Sequence, residues 1–335
     1  MMNEKNTYIA VVVSSLLFAS LASASTKTNR TAWGAQTSYS LTRAFNNMVN
    51  ADICMGKPDY YCNGLMVSAF EKGNDGYWMH LGLDNKLSFT YFRTDIATSF
   101  YGPVGYILFP QKKLDAAMSK GLTHNSFSTQ YRCAFPVDAE TNNRDDNGCG
   151  KLKVFPEKTG PCQNQGITTA AQWLDKFGYK TSGTKTLASP ASCGFTLEGY
   201  SDKDKQQFFS VNTEIQQILL AKYPDAKLAW NEIVTAAWPV DNPHDVPVMA
   251  FFYVQDGSLG TLVQNENHKN IKKYSEAEAL TLAQEQQFAY YTTTNIFIPI
   301  VKISGPRSSV VFTYTDNEQS KGILDGDKSV NVYPD

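Results

Sequence analysis

Several short motifs that mark common enzyme and metal-binding classes are absent from this sequence of 335 residues. There is no CxxC pair, which disfavours a zinc ribbon or a thioredoxin-type redox centre, and the four histidines have no HxxxH-type spacing. There is no GxSxG, HExxH, GxGxxG or P-loop motif, so the usual esterase, zinc-protease, Rossmann and nucleotide-phosphate sites are disfavoured. We therefore expect no metal site, and any catalytic residues must come from separate parts of the chain.

A charge excess and long apolar runs are also lacking. The chain has 30 Lys and Arg against 32 Asp and Glu, a net charge of −2, which gives no electrostatic argument for binding nucleic acid. An uncharged apolar run extends from about Tyr8 to Leu21, and Ala22-Ser23-Ala24 follows it. This is the layout of a cleaved export signal, and the run is short for a permanent membrane span. We therefore expect residues 1–24 to be a signal peptide and the mature protein to be secreted or periplasmic, without an integral membrane segment.

The cysteines also favour a secreted or periplasmic location. All of them follow the expected signal peptide, and there are six: Cys54, Cys62, Cys133, Cys149, Cys162 and Cys193. An even number in an exported chain favours disulfides, although the sequence alone cannot choose the connectivity. The preferred pairing is the short-range one, 54–62, 133–149 and 162–193.

A polar stretch at 181–192, close to the last cysteine, is the best candidate for a boundary. It divides the mature chain into a cysteine-containing region, 25–190, and a C-terminal region, 191–335. The alternative that both regions form one domain stays open.

Hydrophobic periodicity predicts helices and strands without a strict alternation. Helical spacing is found at 39–50, 167–180, 202–223 and 275–291, and strand patterns at 87–95, 104–109, 247–254, 296–303 and 309–314. This mixture favours an α+β fold with mixed or antiparallel sheets, flanking helices and a disulfide-stapled N-terminal part.

The acidic loop at 133–150 is framed by two cysteines. Asn143, Asp145 and Asn147 precede Gly148, which is similar to the start of a calcium loop, but Val154 stands where the closing glutamate should be. We interpret the loop as a polar surface segment tied at its base by a disulfide. A role as the rim of a binding site is the open alternative.

Four dispersed residues are candidates for a site: Arg93, Ser128, Thr129 and Glu232. Strand alternation puts Arg93 on an inward row, where it needs a partner, either Asp95 or a diphosphate. The hydroxyls of Ser128 and Thr129 are typical of turns but also suit a sugar. Glu232 in a strand is either buried beside a cleft or paired with a lysine.

One acid-x-acid pair, Glu276 and Glu278, has a structural explanation. Ser275 precedes Glu278 by three residues and an alanine-rich helical run follows, which is typical of a capping box. We therefore interpret the pair as a helix cap and not as catalytic acids.

Three blocks occur together in this chain: CAFPVDAETNNRDDNGCG, CQNQGITTAAQW, and the tail pattern WNEIV, PVMAFFY, QQFAYYTTTNIFIPIVKI. With YCNGLMV and LSFTYFRTD, they resemble the halovibrin-like secreted bacterial proteins across most of the mature chain. Halovibrins are described as NAD-dependent ADP-ribosyltransferases. The resemblance therefore implies NAD as a substrate. The protein would either transfer ADP-ribose to an unknown protein or small molecule, or hydrolyse NAD as a glycohydrolase.

Transfer of ADP-ribose needs a cation for the diphosphate, hydroxyls for the ribose and a carboxylate near the developing cation. The expected roles are phosphate binding for Arg93, ribose orientation for Ser128 and Thr129, and stabilisation of the cation for Glu232. A late Glu-x-Glu pair, frequent in such enzymes, is not found at the expected distance.

Two other classes remain open. One is a secreted binding or effector protein without chemistry. The other is a secreted hydrolase with a dispersed triad, in which Ser88, Ser99 or Ser128 would meet His80 or His124.

Overall fold

The computed structural model describes the part of the chain from Thr26 to Val332, with gaps. The described residues are 26–47, 64–70, 86–94, 103–108, 131–137, 148–149, 159–177, 192–222, 231–236, 248–254, 274–305, 309–315 and 329–332. The expected signal peptide lies outside them, as do Cys54, Cys62, Ser128 and Thr129.

The described ranges contain eleven strands. They are β1 (Thr26–Asn29), β2 (Leu65–Phe70), β3 (Lys86–Phe92), β4 (Val104–Leu108), β5 (Tyr131–Phe135), β6 (Phe195–Thr196), β7 (Glu232–Ala236), β8 (Val248–Val254), β9 (Ile300–Ser304), β10 (Val311–Tyr314) and β11 (Ser329–Val332). The helices are α1 (Arg30–Asn47), α2 (Ala170–Phe177), α3 (Asp202–Lys222) and α4 (Glu276–Thr294), and a 3-10 turn spans Cys162–Gln165.

Nine of these strands form one sheet in the order β10-β9-β8-β4-β2-β3-β7-β5-β6, and β1 pairs with β11 in a separate ribbon. The neighbours are antiparallel except β8 and β9, which run parallel and are connected through α4. This confirms the predicted α+β class with a mixed sheet. Strand β7 lies between β3 and β5, so the described parts of the chain before and after position 190 share one sheet.

The sheet has apolar side chains on both faces. On the first face, called the α1 side, Phe45 of α1 packs on Phe92 and Phe312 with ring centroids 4.5 and 6.0 Å apart. On the second face, called the α3 side, helices α2, α3 and α4 bury a larger cluster that includes Trp173 and Phe209. Helices on both faces explain why β4 and β8 are buried at every position.

Two disulfides are described, Cys133–Cys149 and Cys162–Cys193, with Cα atoms 5.0 and 5.2 Å apart. Both pairings are the predicted ones, whereas the pairing 54–62 lies outside the described residues. These disulfides lie near the middle of the chain, and the second one joins the two regions predicted on either side of position 190. The expected stapling of the N-terminal part is therefore seen only in this mid-chain form.

Two element boundaries differ most from prediction. Helix α1 begins at Arg30 and not at residue 39, although it contains Gly34, a poor helix former. The ring of Tyr314 explains this glycine, because a Cβ at position 34 would lie 2.3 Å from it. The strand predicted at 296–303 begins only at Ile300, because α4 extends to Thr294 and ends on Asn295 in the left-handed conformation, at φ 54°.

None of the described helices combines the length and the apolarity that a membrane crossing requires.

Candidate functional site

Two of the four candidate residues, Arg93 and Glu232, lie in the described structure. Ser128 and Thr129 precede β5 and lie outside the described residues, as does Asp95, the alternative partner of Arg93. The site is therefore built from Glu232 and the side chains around it.

Glu232 is the first residue of β7, which lies between β3 and β5 and is the third strand from the β6 edge of the sheet, and it has no exposed surface. A buried carboxylate needs hydrogen-bond donors, because an unpaired charge in a low-dielectric interior is strongly destabilising. The hydroxyl of Ser88 on β3 donates a hydrogen bond to the Oε1 atom of Glu232 over 2.5 Å. The two residues are 144 positions apart in the chain, so only the fold brings them together.

Strand register explains this contact. Ser88 stands directly opposite Val234, and Phe89 opposite Ile233, so one further step puts Thr90 opposite Glu232. Ser88 is therefore the diagonal neighbour of Glu232 on the same face, within reach of a side chain as long as glutamate. Ser88 is half-buried whereas Glu232 is fully buried, so the hydroxyl stands between the carboxylate and the solvent.

One wall of this site is formed around the Cys133–Cys149 disulfide. Phe135 stands opposite Glu232 across β5 and β7, and it is packed with Val234 and the disulfide. Gly148 and Gly194 let the backbone approach the Phe135 ring. A Cβ would lie 2.2 Å from the ring at position 148 and 2.5 Å from it at position 194. Phe135, Gly148 and the Cys133–Cys149 disulfide therefore cover the sheet on one side of Glu232.

The other wall is the α1 cluster. Phe92 follows Ser88 and Thr90 on the same face of β3, and it packs against Phe45 of α1. Ser88 and Thr90 are half-buried, whereas Phe92 and Val234 on either side of them are fully buried. Solvent therefore reaches the α1 side of the sheet at a polar strip between the two apolar covers, with Glu232 at its base.

Arg93 lies one residue beyond β3, at the end of the sheet where β7 begins. Three residues separate it from Thr90, the position opposite Glu232, which is about 10 Å along a strand. It is 9% exposed and lies against Gly64, where a Cβ would come within 2.7 Å of the Arg93 Cγ atom. Alternation along β3 assigns Arg93 to the row of Phe89, which is opposite to the row of Ser88. Arg93 and Glu232 thus share one end of the sheet but not one row.

The acid-x-acid pair at the start of α4 has the predicted structural role. The Ser275 hydroxyl accepts from the backbone N–H of Glu278, and the Glu278 carboxylate accepts from the backbone N–H of Ser275. Glu276 forms an ion pair with Lys302 of β9 at 2.5 Å. The capping box is confirmed, and both carboxylates have partners that account for them.

Sequence reasoning had named Ser88 only as a nucleophile for a distant histidine. Its actual neighbour, Glu232, follows from the pairing of β3 with β7, and no local pattern in the sequence encodes that pairing. Within the described ranges, no group of three or more His, Cys, Asp or Glu residues is placed to hold a metal ion.

The described structure therefore defines an α+β protein whose main sheet holds a buried carboxylate, Glu232, hydrogen-bonded to the half-buried serine Ser88. Comparison of the chain with protein-family models and with curated proteins finds no match.

Proposed function

We propose that this protein cleaves NAD at the bond between nicotinamide and ribose, and passes ADP-ribose to water or to an acceptor. The observation that carries the proposal is the hydrogen bond between Ser88 and Glu232, which joins a fully buried carboxylate to a half-buried serine. This arrangement suits a reaction whose transition state is a ribose cation, because a fixed negative charge in a water-poor site stabilises a developing positive charge.

In this reaction the C1′–N bond breaks, and its electron pair leaves with nicotinamide, which becomes neutral. The ribose carbon becomes cationic and is attacked by the oxygen of water or of an acceptor, which then loses a proton. The Ser88 hydroxyl donates a hydrogen bond to Glu232 and keeps its proton, so its oxygen lone pairs are free to accept from the ribose 2′-hydroxyl. The charge of Glu232 thereby acts through Ser88 on the ribose.

The remaining roles follow the resemblance to halovibrins. Arg93 binds the diphosphate, and Ser128 and Thr129 orient the nicotinamide ribose. The role of Arg93 rests on this resemblance alone, because alternation along β3 puts its side chain on the row opposite to that of Ser88. Guanidinium also suits phosphate better than ammonium does, because it binds two oxygens at once.

The test is the release of nicotinamide from NAD by the purified, oxidised protein. We expect Glu232→Gln, which keeps the shape and removes the charge, to lower the rate by about 100-fold or more. Glu285→Gln, an exposed site on α4, is the matched control and should keep the full rate. A wild-type protein that releases no nicotinamide, or a Glu232→Gln variant with an unchanged rate, would refute the proposal. Free ADP-ribose as the product identifies water as the acceptor, and labelled protein identifies transfer.

A hydrolase is the second candidate, and the same contact favours it. A serine hydroxyl that donates directly to a carboxylate is arranged as a nucleophile beside its base. Labelling of the wild type, but not of Ser88→Ala, by a fluorophosphonate probe would support this candidate. His80 and His124, the predicted partners in a triad, lie outside the described residues. A folded protein that is silent in both assays would instead fit the secreted binding or effector class.

A further inference from the structure

Helix α3 buries two carboxamide side chains on its core-facing side. Asn212 is 0% and Gln216 1% exposed, and they lie one turn apart, so both point from the same face of the helix. Their neighbours Phe209, Ile215 and Leu219 belong to the apolar cluster on the α3 side of the sheet. Polar groups thus enter a core that is otherwise built from apolar residues.

Neither amide is paired within the described part of the chain. The nitrogen and the oxygen of both side chains have no hydrogen-bond partner among the described residues, and the same holds for the hydroxyl of Thr213. A buried polar group without a partner costs about 1–3 kcal/mol, and native proteins contain few of them. Several such groups within a little more than one helical turn imply a partner that the described residues do not supply.

A second element contributes another group on the same side. Thr235 of β7 is fully buried, and its hydroxyl has no partner in the described part of the chain. Thr235 stands opposite Tyr131 of β5, whose ring contacts Phe209 of α3 edge-on at 5.5 Å. Because Phe209 precedes Asn212 and Thr213 by one turn, the Thr235 hydroxyl faces the region of α3 that carries the unpaired amides.

We propose that the interface between α3 and the strands β5 and β7 binds a small neutral molecule that carries an amide group. Each carboxamide offers one donor edge and one acceptor, which is the complement of another amide. A neutral ligand is required because no charged residue is among the described buried positions of α3, and an ion buried without a counter-charge is strongly unfavourable. This site lies on the α3 side of the sheet, opposite to the face of Ser88 and Glu232, so it does not depend on the proposed NAD reaction.

The test is calorimetric titration of the intact, oxidised protein with acetamide and benzamide, each compared with its matched acid, acetate and benzoate. We expect saturable binding of at least one amide and at least tenfold weaker binding of the corresponding carboxylate. No saturable binding of either amide, or equal binding of amide and acid, would overturn the proposal.

Variants locate the site. We expect the double variant Asn212→Leu, Gln216→Met to bind the amide at least tenfold more weakly, whereas Gln207→Met, on the exposed face of α3, should bind like the wild type. The free double variant should be as stable as the wild type or more so, because apolar groups of similar shape replace unpaired polar ones. Thr235→Val gives a second test if the double variant does not fold. Unchanged amide binding in the folded variants would contradict the assignment. If the double variant is less stable and the wild type binds no amide, the buried amides bind internal water only and the proposal is wrong.

Discussion

The hydroxyl of Ser88 and the carboxylate of Glu232 are joined by a hydrogen bond of 2.5 Å that bridges β3 and β7 on the α1 side of the sheet. This one contact links the burial of an acidic group, the pairing of two distant strands and the proposed chemistry. It also makes the serine testable by itself, because stability and activity should respond differently to its replacement.

We expect Ser88→Ala to lower the free energy of unfolding by about 1–3 kcal/mol, because it leaves a buried carboxylate with one donor fewer. Chemical denaturation of the mature protein measures this loss. Ser304→Ala replaces a half-buried serine of an outer strand, β9, and should cost less. If NAD is the substrate, Ser88→Thr should cleave NAD faster than Ser88→Ala, since threonine has a hydroxyl at the same position. Equal stability of Ser88→Ala and the wild type would show that the contact does not stabilise the carboxylate.

The acids at the start of α4 should be structural and not catalytic. We expect Ser275→Ala to cost about 1 kcal/mol of stability through loss of the cap. Glu276→Gln should cost less, because its ion pair with Lys302 is partly exposed to solvent. Neither variant should change the rate of nicotinamide release when the protein is folded. A rate lowered about 100-fold in Glu276→Gln would instead make this acid part of the site.

Local patterns were sufficient for some features of this fold. Helix α3 follows the predicted range almost to the residue, and the α4 cap is determined by Ser275 and Glu278 alone. At α2, Thr169 and Gln172 likewise exchange hydrogen bonds at the helix start. In each case the interacting groups are neighbours in the chain, and therefore the sequence contains the whole interaction.

The order of the strands could not be predicted in this way. The insertion of β7 between β3 and β5 depends on which helices bury the apolar side chains on each face of the sheet. That is a property of the whole core. Strand alternation predicted correctly that Glu232 shares a face with Val234. It gave no information on the neighbouring strand, so Ser88 could not be identified as the partner.

The two described disulfides should contribute unequally. Cys133 and Cys149 are 16 positions apart, and Cys162 and Cys193 are 31 apart. Constraint of the unfolded chain predicts a loss of about 3 kcal/mol for each double Cys→Ser variant, with about 0.6 kcal/mol more for the longer loop. Denaturation midpoints of the two variants, compared under oxidising conditions, measure the difference. A larger loss for the shorter loop would mean that packing around Phe135, and not loop closure, dominates.

Tyr200 should make the protein less stable in alkaline solution. Burial, and then the negative charge of Asp204, raises the pKa of Tyr200 above its ordinary value near 10. The folded state therefore keeps the phenol proton where the unfolded chain has lost it, so this stabilisation is complete below about pH 10 and is lost as the pH rises through the folded-state pKa. We expect Tyr200→Phe, which preserves the ring contact with Phe208, to show a smaller fall in stability between pH 9 and 11, taken as about one unit either side of that value. Tyr39→Phe, at an exposed tyrosine, is the control and should follow the wild type.

The outer edge of the sheet should depend on α1 for protection. Strand β10 is an edge strand. On its open side, side chains of α1 form hydrogen bonds with backbone groups. Thr42 accepts from the Phe312 N–H at 3.0 Å, and the Asn46 side chain donates to the Val310 carbonyl at 3.3 Å. An edge without such partners is a template for pairing with another chain. We expect Thr42→Val to cost about 1–3 kcal/mol of stability and to increase aggregation on mild heating, measured by light scattering.

Thr31→Val, at an exposed position on the same helix, controls for the change from threonine to valine and should aggregate like the wild type. Aggregation of Thr42→Val should also rise more steeply with protein concentration than that of the control, because pairing of two edges is intermolecular. If Thr42→Val unfolds at a lower temperature but aggregates no faster from the folded state, α1 stabilises the sheet without protecting its edge from pairing with another chain. The apolar contacts of Phe45 with Phe92 and Phe312 would then be sufficient to keep α1 in place over β10.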